Sequence, residues 1–273
     1  MESGLAESVF FLPDTLANWP WTCTISPFYL QAQADSSAWI QSFKIFTAGE
    51  QRAFDLCNFN LLASLRYPLE NQDIIRAGTD LMGLFAVFDQ YTDVAAPREA
   101  QEMADMVMDA IRNPDKARPA NECVVGEVAR QFWKLSMQYA SEGASHRFIG
   151  SFNEYTASVV QQAEDRAQSY IRSIDEYFLV RRKTVGVKPS LALLQAGLNL
   201  PDDVLDDPII ERLTDAYIDM IILDNDLFSY NVEQARGDPG HNIITIVMHQ
   251  KKIGLSKAVN WIGDHHSELG RQF

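Results

Sequence analysis

The sequence predicts a single all-α domain, and three observations predict it. Long segments carry apolar residues at helical spacing, Pro and Gly fall between those segments, and strand-like alternation bounded by turn residues is scarce. The chain has 273 residues, 47% of them hydrophobic and 11% aromatic, enough for one sizeable core. No low-complexity segment, internal repeat or Gly/Ser-rich linker divides it, so one domain is expected over residues 1–273.

A Pro- and Trp-containing stretch, Leu12 to Pro27, comes first. Helical spacing then predicts Ser36–Phe46, Asp73–Phe88, Arg98–Ile111, Val124–Ala140, His146–Tyr170, Ser190–Leu198, Ile209–Tyr230 and Ile243–Gln250. Pro68, Pro97, Pro114, Pro119, Gly143, Pro201, Pro208, Gly237 and the Pro239-Gly240 pair punctuate them. The pattern corresponds to roughly ten helices. Within Asp73–Phe88 the run Leu81, Met82, Leu84, Phe85, Val87, Phe88 is apolar nearly all round, as in a buried helix.

The formal net charge is −14, from 23 Lys and Arg against 37 Asp and Glu. That balance argues against a nucleic-acid partner, which needs clustered cations. An anionic substrate would also be repelled unless divalent cations bridged carboxylates to it. Cys23, Cys57 and Cys123 are odd in number and far apart, and form neither a disulfide framework nor a zinc motif. No basic n-region opens the sequence and no apolar run approaches a membrane span. The expectation is a cytoplasmic protein without a stable membrane anchor, as a monomer or homodimer.

Asn225, Ser229 and Glu233 are spaced i, i+4, i+8. On a helix they drift only about 80° and share one face. An amide oxygen, a hydroxyl and a carboxylate on one stripe suit Mg²⁺, which takes few protein oxygens and leaves positions for phosphate and water. A solvated polar helix face is the competing reading. Asp89 and Asp93 are likewise i, i+4, at the end of the apolar run. They either hold a cation or mark the helix emerging into water, at a terminus where the dipole disfavours acids. Arg181-Arg182-Lys183, followed by Gly186 and Pro189, suggests a helix break with exposed backbone that either meets an anion or is a solvated basic turn.

Asp202-Asp203-Val204-Leu205-Asp206-Asp207 matches a DDxxD pattern better than Asp89–Asp93 does. Its flanking Pro201 and Pro208 point instead to a solvated loop that caps the following helix. His265 and His266 would point about 100° apart on a helix and make poor co-ligands. His241 and His249 have no acidic or Cys partner at metal spacing and are expected as polar surface or satisfied core residues.

Together these segments resemble the fungal, mushroom-type sesquiterpene synthases of the class I terpene cyclase family. Asn225…Ser229…Glu233 is similar to that family's NSE metal triad, with Gln234…Gly237-Asp238…His241-Asn242…Val247-Met248 continuing the likeness. Asp89–Asp93 occupies the place of the aspartate-rich motif, with Gln90 where a second acid is usual. Arg181–Gly186 resembles the sensor and effector region, and Leu12-Pro13-Asp14…Trp19-Pro20-Trp21…Pro27…Ser36…Trp39 the strand-like arm and first helix.

The resemblance implies a class I terpenoid synthase helical bundle around a central cavity. It implies three Mg²⁺ ions held by Asp89, Asn225, Ser229 and Glu233, with Asp93 behind them, and Arg182 as diphosphate sensor. The Gly186 carbonyl would assist ionisation, Val185 would be the linker, and Phe85 and Ala86 would face the cavity. The substrate would be farnesyl diphosphate or another prenyl diphosphate, cyclised to a sesquiterpene hydrocarbon or alcohol. A protoilludene-like product is suggested by Asn60–Pro68. The family's Arg-Tyr pair has no counterpart after Glu233, so a C-terminally shortened bundle without its lid helices is expected. An inactive homologue that still binds Mg²⁺ and diphosphate is one alternative. A chain-elongating prenyltransferase is another, opposed by the Asn/Ser/Glu triad.

Overall fold

The computed structural model describes residues 9–273 except 138, 139, 199 and 238. Among the described residues there are thirteen α-helices, two short 3-10 turns and no strand. Contacts gather the chain into two compact units. The N-proximal unit comprises Thr22–Ala163 and Gly186–Leu200. The C-proximal unit comprises the described residues up to Trp21, with Glu164–Val185 and Pro201–Phe273.

The N-proximal unit contains α1 (Tyr29–Ser42), α2 (Ala48–Leu56), α3 (Phe59–Arg66), α4 (Gln72–Thr92), α5 (Pro97–Arg112), α6 (Val124–Ser136) and α7 (Glu142–Gln168) as far as Ala163. Helix α4 is its centre and packs on α1, α3, α5 and α6. Asn71 caps α4 by accepting from the Ile74 N–H, and Leu81, Leu84, Val87 and Phe88 are fully buried along it. Gly78 sits mid-helix because the Tyr67 ring lies on it: a Cβ there would come within 2.4 Å of Tyr67 Cε2. That approach lets the Tyr67 hydroxyl donate to the Ser190 carbonyl at 2.8 Å. An aromatic file joins α7 to α4, with Phe148 and Phe152 at 5.5 Å and Phe152 and Phe85 at 5.8 Å between centroids.

The C-proximal unit contains the end of α7, α8 (Ile174–Thr184), α10 (Asp202–Leu205), α11 (Pro208–Arg236), α12 (Ile243–Lys251) and α13 (Leu255–Gln272), while α9 (Val187–Leu194) returns to the N-proximal unit. Helix α11 packs on α8, α12 and α13 through Ile218, Ile222, Leu223, Ile246, Val247 and Ile262, all 0% exposed. Its start follows local rules: Pro208 is in the first turn and the Asp207 carboxylate accepts from the Ile209 N–H.

Several expectations need correction. Helix α1 begins at Tyr29, ahead of the predicted Ser36, and α2 and α3 occupy a stretch with no predicted helix. Asp202–Leu205 forms one helical turn where a loop is expected, although Asp207 caps the next helix as predicted. The predicted Val124–Ala140 ends as α6 at Ser136, and part of its remainder lies outside the described residues. The strand-like arm at Leu12–Pro27 forms no strand. Asp238, one residue of the resemblance, lies outside the described residues. Among the described residues, no helix is long and apolar enough to cross a membrane.

Candidate active site

Asn225, Ser229 and Glu233 lie on one uninterrupted helix, α11, and therefore on one face of it. Asn225 is exposed, while Ser229 and Glu233 are half-buried. The Ser229 Oγ atom is itself buried, without a well-formed hydrogen bond. Glu233 Oε2 accepts from Asn242 Nδ2 at 2.9 Å, and Asn225 Oδ1 accepts from an Arg181 guanidinium N–H at 2.6 Å. Burial pushes the Glu233 carboxyl above its ordinary value, with Ser229 and Asn242 pulling the other way.

Behind this stripe lies Asp226, which is fully buried. Its Oδ1 pairs with Arg181 at 3.2 Å, and its Oδ2 accepts from the Tyr177 hydroxyl at 2.5 Å and the Ile243 N–H at 2.8 Å. Burial still raises the Asp226 carboxyl, opposed chiefly by Arg181. A buried charge of this kind is tolerable because its oxygens are met by donors.

The oxygens of the stripe fit a hard divalent cation. Among the described residues, no three His, Cys, Asp or Glu side chains gather into a metal-sized cluster. A cation on this stripe would meet the oxygens of Asn225 and Ser229 as well as those of Glu233. The buried Ser229 hydroxyl, which has only a poorly formed contact with Glu233, would supply one of those oxygens.

Arg182 points to α11 rather than outward. Its Nε and one terminal nitrogen each donate to Asp219 at 2.7 Å, and the other terminal nitrogen donates to Asp215 at 2.6 Å. The helix break after Arg182 is present, between Thr184 and Val187. Its backbone is covered rather than exposed: Gly186 is buried at φ +72°.

The other predicted residues belong to the N-proximal unit. Asp89 is half-buried near the C-terminal end of α4, and its Oδ1 accepts from the Tyr155 hydroxyl at 2.9 Å. Asp93 is the exposed C-cap, its N–H donating to the Asp89 carbonyl at 2.9 Å. Phe85 is half-buried and meets the Tyr155 ring edge-on at 4.8 Å. A Cβ on Gly186 would lie 3.0 Å from the Phe85 ring, and the Gly186 carbonyl accepts from Ser190 Oγ at 2.8 Å. Ala86 is half-buried beside Phe85. The structure thus brings Phe85, Tyr155, Asp89 and Gly186 together in one unit, and Arg181, Arg182 and the α11 stripe together in the other. A polar groove of about 350 Å³ between α5 and α7, lined by Asp105, Asp109, Arg112 and Asn153, contains none of the predicted residues.

Tyr155, Tyr177 and Asp226 were not singled out from the sequence. Asp226 sits inside the Asn225–Glu233 segment but carries no spacing signal of its own. The histidines divide as predicted in one respect: His265 stacks on Trp261 at 4.9 Å while His266 turns to Asp224, Nε2 to Oδ2 3.5 Å. His241 departs from the expected satisfied core residue. Its Nε2 is buried without a partner, and burial holds the imidazole well below its ordinary pKa, hence neutral. The three cysteines are free.

Residues 80–272 match the family model described as terpene synthase family 2, C-terminal metal binding. A Delta(6)-protoilludene synthase of Stereum hirsutum is 53% identical over 267 residues, covering 98% of this chain and 72% of that protein. Sesquiterpene synthase 9 of Postia placenta is 51% identical over 263 residues, covering 96% of this chain and 76% of its own length. A Delta(6)-protoilludene synthase of Armillaria gallica is 50% identical with the same coverage, 96% and 76%. Among solved structures, a linalool/nerolidol synthase from Streptomyces clavuligerus superposes with a TM-score of 0.82 at 17% identity, covering 97% of this chain and 86% of that one. An α-eudesmol synthase follows the same path with a TM-score of 0.76 at 21% identity, covering 93% and 85%. These likenesses give the all-helical class I terpene synthase fold. The matched region includes both the Asp89 segment and the α11 stripe. The chain belongs to terpene synthase family 2, among the fungal sesquiterpene synthases.

Proposed function

We propose that this chain ionises farnesyl diphosphate with Mg²⁺ and cyclises the resulting farnesyl cation to a sesquiterpene, releasing diphosphate. The observation that carries the reading is the donor stripe on α11. A buried hydroxyl with no well-formed hydrogen bond, Ser229 Oγ, lies on the same helix face as an amide oxygen and a carboxylate. About half the sequence is identical to named sesquiterpene synthases, which makes a prenyl diphosphate the substrate to test first.

In this reading Asn225, Ser229 and Glu233 would be the cation ligands of the C-proximal unit, and Asp89, with Asp93 behind it, would be the ligand of the N-proximal unit. Three Mg²⁺ ions are the expected complement. When bound, they stabilise charge on the departing diphosphate. The protein's own groups do the rest. Arg182 keeps Asp219 as its anchor and exchanges Asp215, 43% exposed in its side chain, for a phosphate oxygen. The Tyr155 hydroxyl donates to Asp89 Oδ1 and would help hold that carboxylate's orientation. Phe85 and Ala86 line the hydrocarbon side, where aromatic faces favour a carbocation and water is excluded. The Gly186 carbonyl assists ionisation with the lone pair that Ser190 leaves it. The hydrocarbon named for two of the relatives, Delta(6)-protoilludene, is the first product to look for.

The test is incubation of purified protein with Mg²⁺ and farnesyl or geranyl diphosphate, followed by gas chromatography and mass spectrometry. A terpene that disappears in Asn225→Ala and Asp89→Ala is the expected result. Absence of product from either substrate, with the protein folded and Mg²⁺ present, overturns the proposal. Product formation undiminished in both variants overturns the assignment of the site.

A further inference from the structure

We propose that Asn242, the residue that opens α12, is a positioning residue for the metal ligands of α11. The inference rests on the metal reading of Asn225, Ser229 and Glu233 given above, and names what keeps Glu233 in place.

Asn242 is fully buried, and both ends of its amide are committed. The Oδ1 end accepts from the Ile244 N–H at 2.9 Å and caps α12. An amide carries its acceptor on one side and its two donors on the other, so that bond fixes which way the NH₂ faces. The Nδ2 end donates twice, to the Asp226 carbonyl at 2.9 Å and to Glu233 Oε2 at 2.9 Å. Its two N–H groups match those two acceptors one for one.

The two acceptors belong to different turns of α11. A helical carbonyl points toward the C-terminus, while side chains lean back toward the N-terminus. The Asp226 carbonyl and the Glu233 carboxylate therefore converge over the turn that carries Ser229, and Asn242 holds them there. Glu233 is long and would otherwise sample several rotamers. Asn242 confines it to the stripe through one oxygen.

The choice of residue follows from charge. A Lys or Arg at this point would neutralise Glu233 and compete with a cation. The neutral amide orients the carboxylate and leaves its charge for the metal. Asp226 does not draw the Asn242 donors to its own carboxylate, because Arg181, Tyr177 and the Ile243 N–H already meet it. The same start of α12 thus serves two purposes, beginning a helix and orienting a ligand on its neighbour.

The two ends can be separated by mutation. Asn242→Ser retains a hydroxyl that caps α12 about as well as Asn, and removes both Nδ2 donations. Asn242→Asp keeps the size and the capping oxygen while placing an acceptor against Glu233. The readouts are the melting temperature of the metal-free protein and the affinity for Mn²⁺ with inorganic pyrophosphate, followed by electron paramagnetic resonance. We expect Mn²⁺ affinity to fall roughly 10- to 100-fold in every variant whose metal-free melting stays near the parent's, the range typical of residues that orient metal ligands. Parent-like Mn²⁺ affinity in a folded variant overturns the proposal, as does weakening that only accompanies loss of the fold in both. Glu233→Gln measured alongside separates the two levels. If it too binds Mn²⁺ like the parent, the metal assignment of Glu233 fails. If it loses binding while Asn242→Ser does not, only the role of Asn242 fails.

Discussion

Replacing Asp80 with Asn should change the protein's response to pH in one defined window. Asp80 lies on α4 with its side chain 1% exposed, and Arg76 Nε reaches its two oxygens at 2.9 and 2.8 Å. An arginine this close lowers a carboxyl, and the Ser36 hydroxyl helps it. Burial outweighs both, and with Asp35 nearby the Asp80 carboxyl is pushed up from 3.8 to about 6. The folded chain therefore keeps a proton below about pH 6 that the unfolded chain releases above 3.8. This contribution is fully present below the unfolded value and lost as pH rises through the folded one. The gap of about two pH units corresponds to roughly 3 kcal/mol between about pH 4 and pH 7. Asn at this position does not titrate, so the wild-type protein should lose that much relative to Asp80→Asn on going from pH 4 to pH 7. In a chain of this size the difference in melting temperature should drift by roughly 5–10 °C. Melting both proteins side by side by circular dichroism across this range measures it. A constant offset would refute the reasoning. So would a wild-type advantage that grows with pH, because the Arg76 pair would then outweigh burial.

Gly186→Ala combines the left-handed strain of a φ of +72°, about 1–2 kcal/mol, with a Cβ at 3.0 Å from the Phe85 ring. We expect a folded protein with an altered terpene profile by gas chromatography, and an unchanged profile would remove Phe85 from the cavity wall. Gly78→Ala should cost about 2 kcal/mol in thermal or urea unfolding, because the Tyr67 ring must give way and its bond to Ser190 is lost. A stabilised Gly78→Ala, gaining only the better helix propensity of Ala, would show that Tyr67 moves freely. Asp207→Ala removes the cap of α11 and should lower stability by about 1 kcal/mol while turnover per folded molecule stays unchanged. A loss of turnover without a loss of stability would place Asp207 in the chemistry instead.

Sequence periodicity located many of the helices with buried apolar faces, but it missed α8 and α13, which bury apolar residues, as well as α2, which buries none. Helix α2 buries no residue fully, so it leaves no stripe to read. Its visible mark is the capping box of Thr47 and Glu50, a signal spaced three residues apart at its start. Helix α3 starts from Asn58 in the left-handed region, φ 50°, which no periodicity encodes. The α11 stripe was legible because its three oxygens are local, within one helix. The partners of those oxygens were not. Arg181 reaches Asn225 across 44 residues and Tyr155 reaches Asp89 across 66, pairings that only tertiary packing creates. Arg182 was legible as a cation at a helix break, whereas Asp215 and Asp219 were read only as part of an amphipathic helix.

Helix α11 runs unbroken from Pro208 to Arg236, and its ligands depend on counting as much as on chemistry. Inserting one residue between Asn225 and Glu233 would turn one ligand by about 100° relative to another, onto a different face. An insertion of four, just over one turn, would nearly restore the direction and add about 6 Å along the axis. Point substitutions among the intervening residues, such as the exposed Phe228 and Val232, leave that phase intact. Divergence along this segment is therefore expected to proceed by replacement of side chains, with length changes diverted to the turns that bound the helix.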